Sequence, residues 1–151
     1  MRPGQLKWIG LRPERRAAVI EVTEATLIAS RGITGDRYRT SSNGARQVTL
    51  IAEEDIAAIA AFLGRPSVDP ALLRRNLVTS GINLAALKGR RFRIGEAVLE
   101  TSGECAPCSR MEEIFGTGGY NAVRGRGGIT ARIVQAGSIA VGDLVEPIPT
   151  Q

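Results

Sequence analysis

Arg91-Phe92-Arg93-Ile94-Gly95-Glu96-Ala97-Val98-Leu99-Glu100-Thr101 reads as two β-strands, residues 91–94 and 97–101, joined by a tight turn. A glycine followed by an acidic residue between apolar runs suits a hairpin or a barrel corner, because glycine reaches positive φ at little cost. Val141-Gly142-Asp143-Leu144-Val145-Glu146 repeats the pattern near the end of the chain. Working outward, runs rich in Val, Ile and Thr occupy residues 5–11, 17–23, 46–51, 76–80, 129–134, 138–141 and 144–148. Short strands spaced by glycine turns, roughly eight to ten of them, predict a mainly β chain folded as a barrel or sandwich.

Few helices interrupt the strands. Residues 53–63 place Ile56, Ile59, Ala60 and Leu63 on one face, with Gly64 as a stop and Pro66 beyond it. A second short helix is expected after Ser109, since Ser109 and Glu112 have capping-box spacing ahead of Ile114 and Phe115. That reading sets Cys108 just before a helix N-terminus. Two Gly- and Arg-bearing segments, residues 30–45 and 116–128, are candidate binding loops, although neither matches a P-loop or dinucleotide fingerprint.

The chain has 151 residues, enough for one domain over 1–151 that buries about 70% of its unfolded surface. Its net charge is +5, carried by 18 Arg and only two Lys. Guanidinium groups suit bidentate binding of phosphate or carboxylate, and an Arg-, Ala- and Gly-rich composition also reflects a GC-rich genome. Nucleic acid is the weaker partner, because aromatic residues make up 4% of the chain and the arginines are dispersed along it singly or in pairs. No stretch has the length and apolarity of a secretory signal or membrane span, and two cysteines are too few for a disulfide framework. The expected location is the cytoplasm.

Both cysteines lie in Glu104-Cys105-Ala106-Pro107-Cys108-Ser109-Arg110, and the chain has no histidine. A thioredoxin-like redox motif would follow an early strand of a βαβ unit, whereas this loop follows a late strand. Zinc would need two further Cys or His ligands. An inert thiol pair and a reactive thiol remain. Arg110 and the helix start favour a Cys108 thiolate, while Glu104, Glu112 and Glu113 oppose it.

The order of motifs resembles the MOSC domain family, related to the C-terminal domain of molybdenum cofactor sulfurases. The series runs through Gly35-Asp36-Arg37, Gln47-Val48-Thr49-Leu50-Ile51, Arg74-Arg75-Asn76-Leu77-Val78-Thr79, residues 89–94, Cys105 to Arg110, Gly128-Ile129-Thr130-Ala131-Arg132 and Gly142-Asp143. The resemblance implies a β-barrel-like domain with a few short helices and one functional cysteine, Cys108, with Cys105 as an accessory. It implies that Cys108 either carries a persulfide sulfur or ligates molybdenum in a bound molybdopterin cofactor. Arg37, Arg75, Asn76 and Arg110 are the matching candidates for binding that cofactor. The implied partners are a cysteine desulfurase, which would hold any pyridoxal phosphate, or a molybdoenzyme. The alternatives are a molybdenum-dependent reductase of N-hydroxylated compounds and a non-catalytic anion-binding module. Tyr38 stands where many relatives have histidine, and a phenol does not relay protons near neutral pH as imidazole does.

Overall fold

The computed structural model describes residues 1–107 and 110–149. The quoted hairpin forms as read: β7 (Arg91–Ile94) and β8 (Ala97–Glu104) pair antiparallel with Ile94 opposite Ala97, and Gly95 turns at φ 54. It belongs to an eight-stranded sheet with β1 (Gly4–Leu11), β2 (Ile20–Val22), β5 (Val48–Ala52), β6 (Leu77–Ser80), β9 (Ile129–Gln135) and β11 (Leu144–Pro147). The order is β11-β7-β8-β9-β5-β6-β1-β2, and β11 also pairs with β1. That pairing closes seven strands into a barrel, with β2 hanging from its rim. A second sheet contains β3 (Glu24–Ile28), β4 (Gly32–Ile33) and β10 (Gly137–Ala140), in the order β10-β3-β4.

Two apolar layers hold the barrel. Inside it, Leu6, Ile9, Leu50, Leu77, Phe92, Ile94, Leu99, Ile133 and Val145 form a cluster with almost no exposure. Leu6 and Ile9 reach the same cluster despite their odd spacing because β1 shifts register against β6 between Leu6 and Trp8. Outside it, helices cover one wall: α1 (Glu53–Phe62), α3 (Arg110–Phe115) and α4 (Gly119–Val123) supply Ile56, Ile59, Met111, Phe115 and Val123 to a cluster with Trp8, Ile51 and Val78. Covered on both faces, β5 is buried at all five positions. Its parallel neighbour β6 is reached through α1 and α2 (Pro70–Leu73).

The expected helix at 53–63 is α1, and it ends as read: Gly64 at φ 68 donates to the Ala61 carbonyl while Arg65 donates to Ala60. The helix expected after Ser109 is α3. Cys108 and Ser109 themselves lie outside the described residues, so the Ser109 cap does too. The Glu112 carboxylate serves the following helix, accepting from the Tyr120 N–H at 2.8 Å and the Gly118 N–H at 3.3 Å. The repeated Gly-acidic turns prove to be neighbours. Gly95-Glu96 is a hairpin turn, whereas Gly142-Asp143 is a corner between sheets, and a Cβ on Gly95 would sit 2.5 Å from Asp143 Oδ2. Among the described residues, no helix is long and apolar enough to cross a membrane.

Candidate functional site

Asp36 organises the site. It lies in the connection after β4, is 2% exposed, and accepts five hydrogen bonds. Three come from Arg12, whose backbone N–H and Nε reach Oδ1 at 2.8 and 3.2 Å and whose Nη2 reaches Oδ2 at 3.1 Å. The others come from Asn76 Nδ2 at 3.1 Å and the Tyr38 N–H at 3.2 Å. The ion-pair partner of Asp36 is thus Arg12, 24 residues earlier, instead of the adjacent Arg37.

Asn76 ties this hub to the barrel wall. Its side chain is fully buried, donating also to the Gly10 carbonyl and accepting from the Thr49 N–H and hydroxyl, each at 3.1 Å. It is spent on protein partners and takes no part in the cavity lining. Arg75 is buried too, at 3% exposure. Its guanidinium donates to the carbonyls of Gly127 at 2.9 Å, Leu73 at 3.0 Å and Ala106 at 3.1 Å. One side chain therefore fixes the cysteine loop to the segment before β9 and to the end of α2. Arg74, its neighbour, caps α2 in the left-handed region at φ 59 and donates to the Ala17 carbonyl at 2.7 Å.

Next to these groups lies a cavity of about 430 Å³. Among the described residues, its lining consists of Arg12, Arg15, Arg16, Arg37, Tyr38, Arg46, Arg74, Arg75 and Arg110. The arginines that look dispersed along the sequence are gathered here, eight of them around one concavity. Four parts of the chain supply them: the β1–β2 connection, the loop between β4 and β5, the α2–β6 junction and the start of α3. Asp36 and Glu113 oppose them, the latter 3.1 Å from Arg16 Nη2 and 3.6 Å from Arg110 Nε. A concentration of guanidinium groups in a partly enclosed site attracts anions strongly.

The cysteine loop is tied to two of these arginines, Arg75 through the Ala106 carbonyl and Arg46 through Cys105. Cys105 is 3% exposed, its N–H donates to the Gly128 carbonyl at 2.9 Å, and Arg46 Nη2 lies 3.9 Å from its Sγ. Of the residues singled out in the sequence, the structure brings Arg37, Arg75 and Arg110 to the cavity wall, with Cys105 against Arg46 behind it. The candidate loop 30–45 supplies Arg37 and Tyr38, and the candidate loop 116–128 contributes the Gly127 carbonyl and the short helix α4. Sequence reading passed over Arg12, Arg15, Arg16 and Arg46. The Arg15-Arg16 pair just after a strand was the one local signal. The described residues contain no group of three or more His, Cys, Asp or Glu able to hold a metal ion.

Comparison with known proteins agrees with this architecture. A family model described as MOSC domain matches residues 33–146. The crystal structure of YuaD protein from Bacillus subtilis is similar at 20% identity with a TM-score of 0.87, covering 99% of this chain and 98% of that one. The YiiM structures from Escherichia coli and Geobacillus stearothermophilus have TM-scores of 0.73 and 0.76 at 20% and 15% identity. Each covers 97% of this chain, and the match takes in 71% and 76% of their own. A search of curated proteins finds no match.

Proposed function

Starting from the premise that the chain belongs to the MOSC domain family, we propose that its arginine cavity binds the phosphate of a molybdopterin-type cofactor and that Cys108 supplies the sulfur ligand. The family is associated with molybdenum cofactor binding and sulfurase-like function. The observation that carries the reading is the cavity lined by eight arginines and joined, through Arg75 and Arg46, to the cysteine loop.

The residues fit such a group. Guanidinium forks complement phosphate. With no multi-ligand cage among the described residues, a metal would arrive with its prosthetic group and take one soft ligand from the chain. When bound, the molybdenum would supply two-electron redox chemistry. Arg37, Arg46 and Arg110 attract the anion, Arg75 holds the loop, and Asn76 positions Asp36 and Arg12. Cys105 backs the loop as a buried second thiol.

The same cysteine serves sulfur transfer. The Cys108 thiolate attacks the outer sulfur of a persulfide on a pyridoxal-phosphate cysteine desulfurase, the donor S–S bond breaks, and the donor leaves as a thiolate. No external oxidant is needed. Protein expressed in a cofactor-competent host should carry molybdenum and pterin, or else acquire one sulfur on Cys108 when incubated with desulfurase and cysteine. Absence of both from folded protein, read by metal analysis and mass spectrometry, overturns the reading. Molybdenum with reduction of N-hydroxylated compounds, both abolished by Cys108→Ala, would identify the reductase form of this site.

A further inference from the structure

One phosphate does not use the charge that this cavity holds. Arg12 is taken by Asp36, yet Arg15 and Arg16 also line the cavity from the β1–β2 connection, outside the 33–146 span of the family model. We propose that Arg15 and Arg16 form a second anion subsite, with Arg110 shared between it and the first, so that the ligand bears two linked phosphates, a diphosphate, instead of one. This rests on reading the cavity as an anion site.

Four independent observations point there. The Glu113 carboxylate already occupies the position of an anion, with its oxygens 3.1 and 3.4 Å from Arg16 Nη2 and one of them 3.6 Å from Arg110 Nε. Both Arg16 and Glu113 are more than half exposed, so their contact is weakly held and yields readily to a ligand of higher charge. Arg110 Nε is buried with no hydrogen-bond partner among the described residues, its contact with Glu113 at 3.6 Å being an ion pair alone. Arg16 adopts φ 64, a left-handed conformation that arginine rarely takes and that clusters at ligand sites. Finally, a volume of about 430 Å³ falls in the range of small-molecule sites and far exceeds a single phosphate.

Isothermal titration of the full chain with inorganic phosphate and with pyrophosphate, at matched ionic strength, tests this. Pyrophosphate should bind at least about tenfold more tightly than phosphate. In an Arg15→Ala/Arg16→Ala double variant the pyrophosphate affinity should fall toward that of phosphate. An Arg2→Ala/Arg93→Ala variant, losing the same net charge from exposed positions outside the cavity, should retain the advantage. Glu113→Gln should tighten pyrophosphate binding by removing the competing carboxylate. Phosphate binding without a pyrophosphate advantage leaves the cavity reading standing and overturns the second subsite. An advantage that survives Arg15→Ala/Arg16→Ala, or falls equally in Arg2→Ala/Arg93→Ala, overturns its assignment to these residues, as does weakened binding in Glu113→Gln. No binding of either anion overturns the cavity reading and the inference together.

Discussion

Asp36 shows how a single buried carboxylate arranges a cationic site. Its five donors are fixed by separate strands and loops, and its loss leaves Arg12, 8% exposed, without a counter-charge. Breaking a buried pair from one side costs about 3–5 kcal/mol. Asp36→Asn should therefore lower the urea unfolding free energy by that amount, with an unchanged m-value if the denatured state is unaffected. Asp55, in the first turn of α1, presents the opposite electrostatics. Burial raises its pKa above 3.8, with Arg126 opposing and Glu54 reinforcing the shift. A raised carboxylate favours the neutral form in the fold, so its ionisation lowers stability as pH climbs above 3.8 through the folded value. Asp55→Asn should raise the thermal midpoint near neutral pH, and the gain should shrink as pH falls toward 3.8.

Elements were legible in the sequence where local pattern and tertiary role agreed. Phe92 and Ile94 alternate with exposed arginines, and β7 runs over the expected residues. β3 was missed: in Glu24-Ala25-Thr26-Leu27-Ile28 only Leu27 is buried, and the strand exists by pairing with the distant β10. The region expected as a strand over 17–23 keeps only Ile20–Val22, the preceding residues instead bringing Arg15 and Arg16 to the cavity. Arg75 could be picked out by resemblance, but its clamp on three carbonyls depends on segments 31 and 52 residues away. Arg75→Ala should loosen the cysteine loop, and alkylation of Cys105, mapped by mass spectrometry, should accelerate roughly tenfold or more as local opening becomes easier. Gly128, which begins the approach to β9, is fixed more strictly. It sits at φ 91, and a Cβ there would collide with the Leu50 carbonyl of β5. Gly128→Ala should cost about 3 kcal/mol or more in chemical denaturation.

At the scale of the whole molecule, the barrel closes where Gly4 and Gln5 of β1 meet Val145 and Leu144 of β11. The fold was readable as mainly β because its strands are short and punctuated. The cavity was not, because its arginines come from four separated parts of the sequence and meet only after this closure. The same closure makes the linear order of the chain partly arbitrary. A short peptide linking the start of β1 to the end of β11 would turn the polypeptide into a ring. That ring could be cut again at the exposed Gly64-Arg65-Pro66 turn, between helices and away from the arginine cluster. Such a circular permutant should fold with the same circular dichroism and bind phosphate as the parent does. A permutant that folds but loses anion binding would show that strand order, and not barrel closure alone, builds the site.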